Sequence, residues 1–365
     1  MSNHDELFAM NIQPSDIVVA LSGGVDSSVA AALLKMRGWN VHGLFLILPA
    51  TGSTGGKRLK AVEAVTYHLK IPLEIIDLKE EFIASVIEPF ISAYSKGFTP
   101  NPCVICNEEI KFRHLRLYAK QKGIPFLATG HYVKAVKRQG ITDLWRGKDS
   151  GKDQSYFLHR LNQDSLSMAV FPLGEINKRY VQNIAIELDL PCRETSESQE
   201  LCFLSDGNYR EFLENRFGSS IDMNGDIIDS HGKRLGEHKG IHRYTIGQRH
   251  GLGIASSRPY YVKEIRPDTR EVVVGRKEEL FSKNVDAELF NWIGPLPSSN
   301  EPDLKAQIRY RHKAASGRLT VTGSNRVRFR FEEPQMAITP GQALVCYTGD
   351  RLIGGGWIIK KEADR

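Results

Sequence analysis

The first 130 residues alternate short apolar runs with amphipathic stretches. Apolar runs predict buried strands at 17–21, 41–48, 73–78 and 126–129. Helical spacing predicts a first helix that ends before Gly38, then helices at 57–69, 80–94 and 107–122, with a kink expected at Pro89. This alternation predicts an α/β domain, a doubly wound parallel sheet with helices on both faces. Ligands of such sheets bind outside the carboxyl ends of the strands.

The pattern changes in the second half of the chain. A helix is predicted at 177–188, residues 192–207 are polar, and short strands with glycine turns begin near Gly218. At 326–331 arginines alternate with Val327, Phe329 and Phe331, which predicts a strand with one buried face. Further strands at 343–347 and 356–359 complete a small closed β-barrel. We therefore expect three domains: an α/β domain at 1–207, a small, mostly β central domain at 208–280, and the barrel at 281–365.

Composition and charge indicate the compartment of the protein and the kind of partner that it binds. The chain has 365 residues, 41% of them hydrophobic and 25% charged, with no apolar run of membrane-spanning length and no secretion signal at the N-terminus. A cytoplasmic protein without membrane contact is expected. From His231 onward there are 24 Lys and Arg against 15 Asp and Glu, whereas residues 1–230 carry a net −3. This local basic excess suggests a nucleic-acid partner, although a solvated surface is equally compatible with charge alone.

The segment SGGVDSS at 22–28 lies between the first strand and the first helix. Backbone N–H groups at such a turn, together with the helix N-terminus, form an anion site. The segment has no lysine, so it is not a Walker loop. It resembles the signature of the PP-loop ATP pyrophosphatases, which implies attack on the α-phosphorus of ATP, an adenylated intermediate and release of pyrophosphate. A turn that merely caps the helix is the alternative, but six matched positions in this context disfavour it.

Five cysteines are the second source of candidate chemistry. An odd count argues against a disulfide framework. Cys106 precedes the predicted helix at 107–122, where the helix dipole would lower its pKa and favour a nucleophilic thiolate. Cys202 lies in a polar loop, which suits a mobile sulfur carrier in the persulfide state. Cys192 and Cys346 are expected to be buried structural residues.

Two metal-binding alternatives concern the same thiols. Cys103 and Cys106 have the spacing of half a zinc site, but no second pair follows at finger spacing. Cys103, Cys106 and Cys202 could instead hold an iron–sulfur cluster.

Separated motifs along nearly the whole chain resemble the bacterial MnmA-type tRNA 2-thiouridylases. They are SGGVDSS at 22–28, TPNP at 99–102 with CN at 106–107 and KF at 111–112, ATGHY at 128–132, KDQSY at 152–156, CF at 202–203, GQR at 247–249 with GLG at 251–253, RYR at 309–311 and PGQ at 340–342.

This resemblance implies roles for individual residues. The ATP contacts would be Ala20, Leu21, Ser22, Gly23, Gly24, Val25, Asp26, Ser27, Leu46 and Gly130. Cys106 would be the catalytic nucleophile and Cys202 the persulfide cysteine, and the two could form a disulfide with each other. The triplet beside the target base would be Asn101, Pro102 and Cys103. The tRNA contacts would be His131, Lys152, Asp153, Gln154, Arg309, Tyr310 and Gln342.

The resemblance also implies cofactors and partners. ATP and Mg²⁺ are expected, with Asp26 as the candidate for a metal or water contact. The anticodon loop of tRNA would be the substrate, and a cysteine desulfurase or a persulfide relay protein would donate the sulfur to a monomeric enzyme. The expected reaction is ATP-dependent 2-thiolation of the wobble uridine, by adenylation of its C2 oxygen and sulfur transfer from the persulfide, giving 2-thiouridine, AMP and pyrophosphate. Either the persulfide itself or released hydrosulfide would attack C2.

Three departures from the family pattern stand out. The base-contacting triplet often ends in Asp, whereas here it ends in Cys103, so a carboxylate hydrogen bond is missing there. Leu46 replaces a common Met, a mild change. Residues 49–58 are glycine-rich and lack an acidic, cysteine-containing stretch.

Three other functions share part of this pattern. A lysidine or amide-forming PP-loop synthetase would share the glycine loop but need no paired cysteines. A metal-cluster thiolase would share the cysteines and contain iron. A non-catalytic RNA-binding module would explain the basic barrel and leave the ATP loop without a role.

Overall fold

The structure is a computed structural model that describes residues 13–49, 54–193, 201–204, 208–217, 224–294 and 304–360. Strands of the first part are β1 (Asp16–Leu21), β2 (Asn40–Ile47), β3 (Leu73–Asp77), β4 (Phe126–Ala128), β5 (Val133–Arg138), β6 (Ile141–Arg146) and β7 (Ala169–Val170). Five of them form a parallel sheet in the order β3-β2-β1-β4-β7. The parallel α/β domain predicted from the apolar runs is confirmed.

Helices pack on this sheet and on its neighbours. They are α1 (Val25–Met36), α2 (Thr54–Leu69), α3 (Lys79–Phe82), α4 (Glu88–Ser95), α5 (Pro102–Ile105), α6 (Arg113–Lys122), α7 (Gln163–Leu166), α8 (Lys178–Glu187) and α9 (Tyr209–Phe217). None of these helices is long and apolar enough to cross a membrane. Short 3₁₀ turns lie at Ser155–Leu158, Ile241–Arg243 and Lys277–Leu280.

Two π-helical segments interrupt long helices. Ile83–Ile87 joins α3 to α4, whose second residue is Pro89, and Cys106–Phe112 joins α5 to α6. The helix predicted to begin at residue 107 therefore begins at Pro102 and runs continuously to Lys122. Pro102 fits the first turn, because the N–H that proline lacks has no helical partner there.

A second sheet follows in the middle of the chain. It consists of β8 (Gly225–Asp229), β9 (Arg234–His238), β10 (Tyr261–Arg266) and β11 (Glu271–Gly275), in the order β10-β11-β8-β9. Its core contains Ile227, Val262, Ile265 and Val272.

The last six strands form the barrel: β12 (Phe281–Trp292), β13 (Leu304–Gln307), β14 (Ala315–Gly323), β15 (Arg326–Met336), β16 (Ala343–Thr348) and β17 (Arg351–Ile358). Their order is β12-β15-β14-β13-β16-β17, and pairing of β12 with β17 closes the barrel. In β15, Val327, Phe329 and Phe331 are buried and the alternating arginines are exposed. The predicted barrel and its alternating strand are confirmed.

The hairpin β5–β6 extends the barrel sheet from the α/β part of the chain. Arg351 of β17 pairs with Trp145 of β6, and one hydrophobic cluster contains both Val18 of β1 and Val345 of β16. The barrel is thus packed directly on the α/β domain. The strand pattern of the sequence did not predict this hairpin or its docking.

Candidate functional site

The glycine loop between β1 and α1 is stabilised by its own serines. The N–H of Ser22 donates to Ser27 Oγ at 3.1 Å, and Ser27 Oγ donates to the carbonyl of Gly24 at 3.1 Å. Gly23 has φ +81°, and a Cβ there would lie 2.9 Å from the carbonyl oxygen of Arg58 in α2. Gly24 caps α1 without a side-chain hydrogen bond. The first N–H groups of α1 are therefore available to an anion.

Gly130 lies against the glycine loop, as expected from its place after β4, the neighbour of β1. A Cβ at Gly130 would lie 2.8 Å from the carbonyl carbon of Asp26 and 2.8 Å from the nitrogen of Ser27. Only a residue without a side chain allows this approach. The two glycine motifs therefore form one edge of the site.

The other sequence-predicted ATP residues lie at the same edge of the sheet. Ala20 and Leu21 end β1, Val25 begins α1, and Leu46 lies near the end of β2. Leu46 is half-buried and packs against two hydrophobic clusters, one beneath the sheet and one that contains Cys106.

Asp26 has two partners that sequence reasoning missed. Its Oδ1 accepts hydrogen bonds from Lys178 Nζ at 2.7 Å and from Tyr132 Oη at 2.6 Å. The side chain of Lys178 is 14% exposed and that of Asp26 is 30% exposed. Lys178 begins α8 after the cap residue Asn177, and its N–H donates to Asp149 Oδ2. Tyr132 belongs to the ATGHY motif, but nothing in the sequence relates Lys178 to the loop 152 residues earlier.

The structure corrects the expected state of Cys106. Because the helix begins at Pro102, with Asn101 as its N-cap, Cys106 lies in the second turn and not at the N-terminus. Its side chain is 5% exposed. Burial raises the pKa of Cys106 to about 12, and Lys111 only partly opposes this effect. The prediction of a lowered pKa is therefore wrong, because desolvation outweighs the helix dipole.

Cys202 lies in the same cluster as Cys106. It packs, with Leu201 and Leu204, against a core that includes Cys106 and Phe203. The ring of Phe203 lies 5.8 Å from that of Phe82 and 5.5 Å from that of Phe90. Residues 198–200 of the predicted Cys202 loop lie outside the described residues. The structure thus places the two predicted sulfur-handling cysteines together, and all five cysteines are free thiols.

Cys103 and Lys111 lie close to Cys106 and Cys202. Burial raises the pKa of Cys103 to about 11, with Lys111 opposing and Cys202 adding to the shift. Lys111 lies five residues after Cys106 in the π-helical segment, a geometry in which positions five apart are neighbours. Within the described ranges, no three His, Cys, Asp or Glu side chains are placed to hold a metal ion.

His131 is buried close to Lys111. Burial lowers its pKa to about 3, so the ring is neutral. Its Nδ1 lies 2.8 Å from Thr129 Oγ1, and its ring stacks 6.0 Å from that of Phe112. An RNA contact by this histidine would therefore be made from a buried position by a neutral ring.

In the segment at 152–154, the side chains of Asp153 and Gln154 form hydrogen bonds within the protein. Asp153 is buried and accepts hydrogen bonds from Arg146 at 2.6 Å and from the N–H groups of Gly147 and Ser155. Gln154 Oε1 accepts from the N–H of Tyr132 at 3.0 Å. Only Lys152, which is half-buried, leaves a charged side chain near the surface.

The barrel contacts the α/β domain just before the triplet that the resemblance predicts to contact the base. Gln342 Nε2 donates to the carbonyl of Thr99 at 2.7 Å, and the N–H of Thr99 donates to the carbonyl of Pro340 at 3.1 Å. The ring of Tyr310 lies 4.3 Å from that of Phe157. Arg309 donates to the carbonyl of Met336 at 3.2 Å. Of these three predicted RNA contacts, Gln342 therefore borders the segment that carries Asn101, Pro102 and Cys103.

Comparison with known proteins gives matches along nearly the whole chain. Three family profiles match in order: "tRNA methyl transferase HUP domain" at 15–206, "tRNA methyl transferase PRC-barrel domain" at 210–276 and "Aminomethyltransferase beta-barrel domain" at 282–358.

Named relatives match nearly the whole chain. A protein of Syntrophotalea carbinolica named tRNA-specific 2-thiouridylase MnmA is 45% identical over 94% of this chain and 98% of its own. One of the same name from Moorella thermoacetica is 43% identical over 93% and 98%. A solved structure, the U34-tRNA thiolase NcsA from Methanococcus maripaludis with its 4Fe-4S cluster, is 17% identical over 58% of this chain and 69% of its own, with a TM-score of 0.37. That likeness is too weak to carry an argument.

Proposed function

The chain belongs to the MnmA family of tRNA-specific 2-thiouridylases, and we propose that it exchanges the C2 oxygen of the wobble uridine for sulfur carried as a persulfide on Cys202. The protein is a tRNA-modifying sulfurtransferase, and its family implies the use of ATP. Paired thiols beside an anion-binding loop favour thiolation over the methyl transfer named in the profile descriptions.

One observation carries this proposal. Leu46, at the predicted ATP edge of β2, packs against the cluster that contains Cys106, and Cys202 packs against the same cluster. The loop that would activate an oxygen and the thiols that would replace it are therefore neighbours along one edge of the sheet.

Activation takes place at the glycine loop. The N–H groups at the start of α1 bind the phosphates, and the C2 oxygen attacks the α-phosphorus as pyrophosphate leaves. Lys178 neutralises the Asp26 carboxylate, which would otherwise repel the phosphates. When bound, Mg²⁺ would supply charge neutralisation on the leaving pyrophosphate. Asp26 supplies a suitable oxygen ligand, and phosphate oxygens and water would provide the remaining ones.

Sulfur transfer follows at the thiols. In one route the terminal sulfur of the Cys202 persulfide attacks C2, and Cys106 then attacks Cys202 Sγ, which breaks the S–S bond and frees the thiolated uridine. In the other route Cys106 attacks Cys202 Sγ first and releases hydrosulfide, which attacks C2. AMP leaves with the former C2 oxygen. By either route Cys106 and Cys202 end as a disulfide, which an external thiol must reduce before the next turnover. Because burial keeps Cys106 protonated, it must lose its proton before it attacks.

The partners and the domain limits are part of the proposal. A cysteine desulfurase or relay protein loads Cys202, and the enzyme acts as a monomer in the cytoplasm on the anticodon loop. The domains are 1–207, 208–280 and 281–365, and the described sheets support this division because each lies mainly within one range.

The test is thiolation of an unmodified tRNA transcript with ATP and a persulfide donor, read by nucleoside mass spectrometry. Cys106→Ser and Cys202→Ser should abolish 2-thiouridine. Cys346→Ala, in the barrel core away from the site, should retain it. Full activity of either serine variant would overturn the assignment of the two thiols.

A further inference from the structure

The central domain contains a basic segment that the proposed reaction does not use. Residues 239–263 include no Asp or Glu and carry five cationic side chains, Lys239, Arg243, Arg249, Arg258 and Lys263. The GQR and GLG motifs at 247–253 lie in its middle. The positive charge of this segment favours a negatively charged partner.

The backbone of this segment forms an open, glycine-lined pocket. Residues 249–256 and 258–260 line a cavity of about 410 Å³. Gly247, Gly251 and Gly253 have φ values of +88°, +76° and +67°. Leu252 is buried in the core of the central sheet and anchors the loop, while Arg249 is exposed at the pocket. Left-handed glycines beside exposed cations are typical of loops that bind phosphate oxygens through N–H groups.

Neighbouring carboxylates pair with three of the five cations of the segment, and Arg249 is not among these three. Arg243 pairs with Glu214 at 2.5 Å, Lys263 with Glu279 at 2.9 Å and Arg258 with Glu278 at 3.3 Å. Arg276 stacks 3.8 Å over Tyr260 at the rim and adds positive charge. Among the described residues, no carboxylate pairs with Arg249, so its charge is directed to solvent.

The loop begins beside the proposed base site. Thr245 Oγ1 lies 3.4 Å from Thr99 Oγ1, two residues before Asn101. A Cβ at Gly247 would lie 2.6 Å from that of Ala337 in the barrel. The segment at Thr99, the barrel and the central loop therefore meet at one point. RNA whose base lies at Asn101–Cys103 would pass its backbone close to Arg249.

We propose that the loop at 247–258 binds a phosphate of the tRNA anticodon arm next to the target uridine, with Arg249 as its main ligand. This inference rests on the proposed function and adds a contact from the central domain. Phosphate contacts fix the register of the RNA without reading its sequence, so this loop would position the uridine over the thiols. A protein sulfur donor is a less suitable occupant, because the pocket is small, polar and basic.

The test is equilibrium binding of an unmodified tRNA transcript to the full chain as a function of KCl concentration. Arg249→Ala should weaken binding about tenfold, as expected for loss of a charged hydrogen bond. It should also reduce the slope of log K against log[KCl] by about 0.7 to 0.9, the equivalent of one phosphate contact. The KM for ATP and the melting temperature should be unchanged. Lys120→Ala is the control, because the carboxyl end of α6 lies at the opposite edge of the sheet from the glycine loop.

Wild-type affinity and slope for Arg249→Ala would overturn the inference. So would normal tRNA binding by this variant combined with slower sulfur loading from a donor protein, which would assign the loop to that protein. Failure of the wild-type chain to bind or thiolate tRNA would instead overturn the proposed function, so the two failures are distinguishable. Arg249→Lys should recover part of the affinity, because it restores the charge without the planar guanidinium.

Discussion

The close contact between Gly130 and the glycine loop provides a direct test of the ATP site. In Gly130→Ala, the new Cβ would lie 2.8 Å from Asp26 C and Ser27 N and 3.0 Å from Asp26 O, whereas ordinary contacts begin at 3.4 Å. The loop must retreat by roughly half an ångström, and all three atoms belong to the backbone, which yields less readily than a side chain. Overpacking of this kind costs about 1–3 kcal/mol of stability.

The effect on activity should exceed the effect on stability. A displacement approaching 1 Å in a positioning group can lower a rate about 100-fold. We therefore expect Gly130→Ala to lower kcat/KM for ATP by about 10- to 100-fold in an assay of tRNA-dependent pyrophosphate release, while tRNA affinity is retained.

A matched substitution separates this effect from the general effect of adding a methyl group. Gly236 in β9 has an ordinary φ, and a Cβ added there would have no neighbour within 4 Å. Gly236→Ala should leave kcat/KM for ATP unchanged and leave stability equal or slightly higher. Wild-type kinetics for Gly130→Ala would refute the placement of ATP at this edge.

Three further predictions concern ionisable groups. Lys178→Met should raise the KM for ATP about tenfold, because the Asp26 carboxylate is left uncompensated beside the phosphates; an unchanged KM for ATP would contradict the role of the pair. His131 and His159 have pKa values lowered to about 3 and 4 by burial, so both stabilise the fold fully only above pH 6.5. As the pH falls from 6.5 to 5.0, the two histidines together should lower the free energy of unfolding, measured by urea titration, by about 3 kcal/mol. A free energy of unfolding that does not change over this range would contradict the burial of both rings in the neutral form. Alkylation of Cys106 by iodoacetamide should rise about tenfold per pH unit from pH 7 to 10, whereas a plateau near pH 9 would indicate an ordinary thiol.

The sequence predicted those parts of the fold that depend on local pattern. Period-two alternation identified β15, and the apolar runs identified the parallel sheet. The sequence also placed Gly130 and the glycine loop after the carboxyl ends of strands, and in the structure these strands, β4 and β1, are neighbours. These features follow from the alternation of buried and exposed positions, which is readable in one sequence.

Most features that were not predicted depend on contacts between residues that are distant in sequence. The pKa of Cys106 depends on Phe203 and the surrounding apolar cluster, residues distant in sequence, rather than on the helix that carries it. The pairing of Lys178 with Asp26 and the docking of β6 on β17 also join distant segments. The start of the helix at Pro102 was missed because two X-Pro steps suggested extended backbone up to Cys106.

The fate of the uridine oxygen tests the central claim most directly. A tRNA transcript labelled with ¹⁸O at C2 of the wobble uridine would be thiolated with ATP and a persulfide donor, and the AMP analysed by mass spectrometry. We predict that each AMP gains one ¹⁸O and that 2-thiouridine forms in equal amount. Unlabelled AMP alongside 2-thiouridine, or ADP as the product, would contradict adenylation of the C2 oxygen.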